Sequence, residues 1–398
     1  MKKISIGTER QDLFDPNIVI TICARLNVMP PFGQLKEAFA KACSLHEVLG
    51  TKVCIGEDGE AFYIENEGNN NSISETGSGL TELVYENSKI RFRIEDGEFL
   101  RVFVSPGGLV FMLHHLGGDG KSLLYFIETF MNCLAGSECE YRPFRNIRLE
   151  DLPEDSNLPF IYKSLVRIWN RSWQKEKKIF GLADLERSFD CYWGKHKTNI
   201  DIREYSKEDT DLMLKAAKEA GVSLTAYLVC DLLKNTDKKA DVGFAVDGRP
   251  DGNRSMGNQA TGISINYRYD PGKSFEDNAK EIHRLMRKKL SDNRYRFFVI
   301  EFMTRLDPTL KDALNLEHAG YFRSKTSSKI AGYLGYGDKT KDISITNLTR
   351  ADIPTEYGSY RIERLSFIPP VVSYAKTVYG IVTADDKMTV TRHAVSKR

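Results

Sequence analysis

His114-His115-Leu116-Gly117-Gly118-Asp119-Gly120 follows directly on Leu109-Val110-Phe111-Met112-Leu113. The five apolar residues do not alternate with polar ones, which predicts a strand buried on both faces. Phe99 to Val104 predicts its partner strand, and Pro106-Gly107-Gly108 the turn between them. Downstream, Leu123, Leu124, Phe126, Ile127, Phe130, Met131 and Leu134 recur at helical spacing. They predict a helix from near Lys121, with Gly136 as its stop.

The two histidines therefore sit where a buried strand gives way to a glycine turn and a helix. Successive strand side chains point to opposite faces. One imidazole is expected to look into a cleft while the other packs or braces. Gly117, Gly118 and Gly120 allow a tight turn and a close approach of substrate to backbone. Asp119 can cap the helix or meet a cation from elsewhere. A lone histidine here would read as a satisfied core group. Two adjacent histidines with a spaced Asp-Gly and three glycines read as a general base, because imidazole accepts a proton near neutral pH.

Working outward, Asn17 to Val28 predicts a strand and Gln34 to Leu49 a helix. Short strands are expected at Thr51–Ile55 and Ala61–Ile64, then a surface loop from Asn66 to Gly79. Residues 145–200 change character, with Pro153, Pro159 and a basic, aromatic helix from Lys163 to about Phe180. They predict a connection between two halves. The second half predicts helices at Lys207–Ala220 and Leu224–Lys234, and strands at Val242–Val246 and Gly262–Tyr269. Ser274 to Asp307 is expected to be largely helical. Strands follow at Ile343–Thr346, Arg361–Phe367, Lys376–Val382 and Met388–His393, with Asp385-Asp386 as the last hairpin turn. The expected class is α/β with mixed sheets. Its expected division is a lobe over 1–150, a connection over 151–200 and a second lobe over 201–398.

The chain has 398 residues, enough for two domain-sized units, and a net charge of +2. So balanced a charge argues against nucleic acid or an acidic membrane as a whole-surface partner. Its seven cysteines are scattered and form no C-x-x-C pair, so a cytoplasmic protein without disulfide framework or zinc site is expected. No apolar region follows Met1-Lys2-Lys3, and no stretch is long and apolar enough for a span, so neither secretory leader nor membrane helix is expected.

The run His114-His115-x-x-x-Asp119-Gly120 resembles the signature of a superfamily. That superfamily includes chloramphenicol acetyltransferase, peptide-synthetase condensation domains and alcohol acetyltransferases. Leu45-His46-Glu47-Val48-Leu49 is similar to the "RHE-x-L" segment of condensation domains. Gly248-Arg249-Pro250, Met256-Gly257-Asn258 and Ile263-Ser264-Ile265-Asn266 are similar to their "GRP … GN … VN" region. Ile345-Thr346-Asn347-Leu348-Thr349 resembles the "SNLG" strand of the alcohol acetyltransferase branch. The matches run in the family's order over nearly the whole chain.

This resemblance implies two lobes like chloramphenicol acetyltransferase, forming a V with a tunnel between them. His115, the second histidine, would be the general base, and no acyl-enzyme would form. Asp119 would be structural, with Arg249 as its partner from the second lobe. Asn347 would lie near the tunnel, where with Gly118 it could contact substrate or the oxyanion. The co-substrate would be an acyl-CoA or a phosphopantetheine thioester, with no permanently bound cofactor and no metal. The partner would be a small acceptor alcohol or amine, or an acyl carrier protein, and the chain would be a monomer of natural-product biosynthesis. The alternative is a non-catalytic module that keeps the fold and binds a carrier protein or partner. Departures from the pattern are Thr346 for serine, Thr349 for glycine, and the absence of the "DFGWG" motif. No adenylation or carrier domain accompanies the signature, which points to a stand-alone enzyme.

Rival readings fit less well. His114-x-x-x-x-Asp119 also fits the H-x4-D pattern of glycerolipid acyltransferases, but no "EGTR"-like segment follows. Gly120-Lys121-Ser122 imitates the end of a Walker A loop, yet position 115 is histidine where glycine is needed. A metal site is disfavoured because adjacent strand residues diverge. No G-x-S-x-G elbow occurs. The basic helix after Pro159 and the run Arg287-Lys288-Lys289 read as solvated faces rather than as membrane, carrier or CoA contacts.

Overall fold

The apolar run Leu109 to Leu113 is a strand, and each of its five residues is at most 1% exposed. The strand, Gly108–His114, lies inside a six-stranded sheet between Val19–Leu26 and Leu100–Ser105. Both of its faces are covered. Phe111 meets Phe126 and Phe130 of helix Gly120–Leu134, and Phe126 in turn meets Phe39 of helix Phe32–Ser44. Met112 and His114 face the other way, toward Val84 of helix Leu80–Asn87 and Leu185 of helix Leu182–Trp193. Burial on both sides explains the missing alternation.

The structure is a computed structural model and describes residues 3–250, 252–336 and 340–398. Met1 and Lys2 of the N-terminal run lie outside the described residues. The fold is mixed α/β with two sheet-containing lobes. The second six-stranded sheet runs Ala260–Tyr267, Ala240–Asp247, Ile343–Arg350, Thr377–Ala384, Lys387–Lys397, His196–Glu204, with parallel and antiparallel neighbours. It has its own core, in which Val242, Phe244, Ile263 and Ile265 pack with Ile282 of helix Phe275–Leu290 and Val229 of helix Leu224–Leu233. A three-stranded sheet of Lys3–Ser5, Ala61–Glu65 and Thr51–Ile55 completes the first half.

Sheet membership departs from the sequence division at 200. Strand Tyr360–Ile368 belongs by position to the second half, yet it pairs antiparallel with Val19–Leu26 in the first sheet. Phe367 there accepts a hydrogen bond from the Thr391 hydroxyl of the second sheet, so this strand ties the lobes together. The expected loop from Asn66 to Gly79 contains a strand, Ser72–Glu75. Its Ser-Ile-Ser-Glu composition is that of a short polar edge strand, which reads as a loop. The connection over 151–200 holds two helices, Phe160–Trp173 and Leu182–Trp193, and the start of an edge strand, His196–Glu204. Trp169 and Trp173 are buried, while Phe160, Ile161 and Ile168 are exposed. Helix Pro308–His318 carries a start signal that the sequence reading passed over: Asp307 caps it and Pro308 stands in its first turn.

Candidate active site

The strand delivers His114 as its last residue, and His115 opens a single 3-10 turn, His115–Gly117. His114 is a brace. Its Nδ1 accepts from the Leu116 N–H at 3.2 Å, and its ring packs 6.0 Å from that of Phe92. Burial, then the His115, Arg91 and Arg101 charges, push it down to about 3, so it stays neutral. It lines a cavity of about 40 Å³ with Met112, Val19 and Trp193. His115 is not among the lining residues of that cavity.

The His115 side chain is 17% exposed, and its Nδ1 lies 3.7 Å from Oδ2 of Asp12. That nitrogen makes no hydrogen bond of normal geometry. Its backbone N–H donates to Ile18. Burial lowers the proton affinity of the ring, while Asp119, its own carbonyl and Asp15 raise it. Burial prevails, so the ring is neutral at neutral pH, and which of its two nitrogens is free to accept a proton depends on its neighbours.

Asp119 locks the loop. One carboxylate oxygen, Oδ1, accepts from the Ser122 N–H at 3.0 Å, capping helix Gly120–Leu134, and from Arg249 Nη2 at 2.7 Å. The other, Oδ2, accepts from the Gln259 N–H at 2.9 Å. Arg249 also donates to the Ser122 hydroxyl and, at 3.3 Å, to the Gly257 carbonyl. The pair is buried, with side chains 4% and 5% exposed, and spans the two halves of the chain. Burial raises Asp119, but Arg249 and the two backbone N–H groups outweigh it and hold the carboxyl below its usual range.

Two glycines are required by this packing. At Gly118, φ is +145° and a Cβ would stand 2.5 Å from Ser122 Cβ. At Gly257, φ is +137° and a Cβ would collide with the Arg145 carbonyl. Gly120 starts the helix, where a Cβ would press on Leu348 and Phe367. The second lobe's strand Ile343–Arg350 therefore abuts the loop through Leu348. Side chains alternate along a strand, so Asn347 points the other way. Its Nδ2 donates to Thr225 Oγ1 at 2.9 Å and its Oδ1 accepts from the Thr349 N–H at 2.7 Å. The structure thus brings His115, Asp119, Gly118, Gly120 and Arg249 together, and gives Asn347 hydrogen bonds within its own lobe.

An acidic cluster behind His115 was not anticipated. Glu9, Asp12 and Asp15 are all buried on the segment around the 3-10 turn Thr8–Asp12. Burial raises Glu9 to about 7 and, with Asp15, raises Asp12 to about 8. Lys311, buried beside them, is lowered to about 8 by desolvation. Tyr336 and Tyr374 complete the surroundings. Carboxylates three residues apart, next to Leu13 and Phe14, were the signal available in the sequence.

Among the described residues no cluster of His, Cys, Asp and Glu could hold a metal, and no helix is long and apolar enough to cross a membrane. The seven cysteines are free. No family model and no curated protein matches the chain by sequence. Its shape does match. The first condensation domain of the CDA synthetase superposes with a TM-score of 0.60 at 11% identity, over 97% of this chain and 87% of that one. The chain has the condensation-domain fold. The TRI3 trichothecene 15-O-acetyltransferase from Fusarium sporotrichioides superposes with a TM-score of 0.61 at 13% identity, over 99% and 90% of the two chains. The starter condensation domain of rhizomide synthetase, solved with C8-CoA and Leu-SNAC, gives 0.61 at 10% identity, over 98% and 88%. The fold resemblance expected from the histidine signature is therefore found across nearly the whole of this chain, 97% in the first superposition.

Proposed function

We infer that the chain is an acyltransferase, moving an acyl group from a CoA or pantetheine thioester to a hydroxyl or amine. One observation carries this reading: a neutral, partly solvent-open imidazole, His115, stands on a loop locked by a buried Asp119–Arg249 pair. In this reading Nε2 of His115 takes the proton of the acceptor as its oxygen or nitrogen bonds to the thioester carbonyl carbon. The tetrahedral intermediate then collapses, the carbon–sulfur bond breaks, and the thiolate takes the proton back from the imidazolium. The products are an ester or amide and a free thiol, and no group on the protein is acylated. His114, Asp119 and Arg249 hold the ring, while Gly118 and Gly120 leave room for substrate. A role for Asn347 at the oxyanion would require it to give up Thr225.

The test is to supply the purified chain with a panel of acyl-CoA and acyl-pantetheine donors and of alcohol and amine acceptors, and to follow free thiol. Acceptor-dependent thiol release supports transfer. Tight binding of a carrier protein without release from any donor would assign the chain to the non-catalytic alternative.

A further inference from the structure

Asp12 reaches His115 from a segment remote from the catalytic loop. It is 4% exposed, and Oδ2 stands 3.7 Å from His115 Nδ1. The same oxygen accepts from Asn258 Nδ2 at 2.8 Å, which fixes its position. Burying a carboxylate is costly unless it is paired; Arg10 is engaged by Asp312, while Lys311 acts on Asp12 through its charge. Arg10 on the same turn is bidentate to Asp312 at 2.9 and 2.5 Å, and Lys311 Nζ lies 3.5 Å from the Gly7 carbonyl. Among the described residues, the basic group in contact with Asp12 is His115, and with Asp12 raised to about 8 and His115 lowered the resting contact is between neutral groups. The His115 Nδ1, in turn, makes no hydrogen bond of normal geometry, although its own carbonyl lies close enough to raise its proton affinity.

We propose that Asp12 is the positioning residue for His115: its carboxylate accepts a hydrogen bond from Nδ1–H, which leaves Nε2 unprotonated as the base and stabilises the imidazolium formed during transfer. The inference rests on the acyl-transfer reading given above. At 3.7 Å the contact is too long for a hydrogen bond. Catalytic hydrogen bonds are often long in ligand-free sites and tighten when charge develops. The groups facing the pair are Glu9 and Asp15 from the same segment, Asp119 and His114 from the loop, Lys311 from helix Pro308–His318, and Tyr336 and Tyr374. Burial and Asp15 raise Asp12 to about 8. Below that pH a protonated Asp12 donates to Nδ1 and puts the ring proton on Nε2, the wrong nitrogen for a base. Above it the carboxylate selects the productive tautomer.

Two measurements on the full chain decide this. In the first, ¹⁵N-histidine NMR follows His115, assigned with His115→Gln, through a pH titration. The expected result is a tautomer change near pH 8, lost in Asp12→Asn and restored in Asp12→Glu. In the second, Asp12→Asn lowers kcat by about 10- to 100-fold, a part of the ~10²–10⁴ a general base supplies. KM stays within about twofold, and the alkaline rise of the rate profile disappears. Ring shifts and a pH profile in Asp12→Asn equal to those of the native chain would overturn the proposal, whatever happens to melting. Should Asp12→Asn fail to fold, the absence of a step near pH 8 in the native His115 signals overturns it alone. The NMR result stands even if no thioester is turned over. A His115-dependent turnover that survives Asp12→Asn unchanged would remove the dyad and leave acyl transfer intact.

Discussion

At the scale of single residues, burial sets the protonation states around His115, and neighbouring charges modulate them. The carboxyl of Asp119 is held low by Arg249 and two backbone N–H groups, while that of Asp12 is raised to about 8 by burial and Asp15. The difference has a thermodynamic consequence. A carboxyl whose folded value exceeds its unfolded value binds its proton more tightly in the native state. Its stabilisation is complete below the ordinary value of 3.8 and is lost as pH rises through about 8. Asp12→Asn, which never ionises, should therefore gain melting temperature relative to the native chain between about pH 5 and 9. Thermal melts of both proteins across that range check it, and a constant difference would contradict the raised value. Asp119 has the opposite sign: its contribution is present above 3.8 and lost as pH falls below it.

At the scale of elements, the Asp119–Arg249 pair holds helix Gly120–Leu134 to the second lobe. Removing one partner of a buried pair leaves an uncompensated charge, at a cost of ~3–5 kcal/mol. Asp119→Ala should lose about that much in urea unfolding; an unchanged midpoint would deny the bracing role. A second element-level test lies in strand Ile343–Arg350, whose register shifts between Asn347 and Arg350. Thr349 there has φ +58°, at the position where the resembled strand has glycine. A β-branched residue in the left-handed region costs ~1–2 kcal/mol. Thr349→Gly should recover about 1 kcal/mol in the same assay, provided its hydroxyl bond to the Leu348 carbonyl adds little. A drop in stability would show that the hydroxyl outweighs the strain.

Legibility in the sequence differs among these elements for physical reasons. The strand Gly108–His114 was readable because a run buried on both faces is apolar throughout. Arg249, 130 residues from Asp119, entered only through resemblance, since nothing local marks a cross-lobe partner. Asp12 was not readable as a neighbour of His115, because that contact depends on how the 3-10 turn Thr8–Asp12 docks. Edge strands such as Ser72–Glu75 are polar by necessity and look like loops.

At the scale of the molecule, two sheets with separate cores are joined by strand Tyr360–Ile368, which leaves one half of the chain to complete the sheet of the other. Such long-range pairing has no signature in local periodicity. It was expected only as two lobes, and the crossing strand came from the structure. The arrangement sets Leu348 of the second lobe against Gly120 of the first, beside the histidine loop. Lobe contact and loop geometry are therefore coupled. The decisive measurement is acceptor-dependent thiol release by the native chain and by a folded His115→Ala variant. The account predicts that the substitution slows release by ~10²–10⁴-fold while circular dichroism and melting stay close to native. Equal release by the two proteins would contradict it.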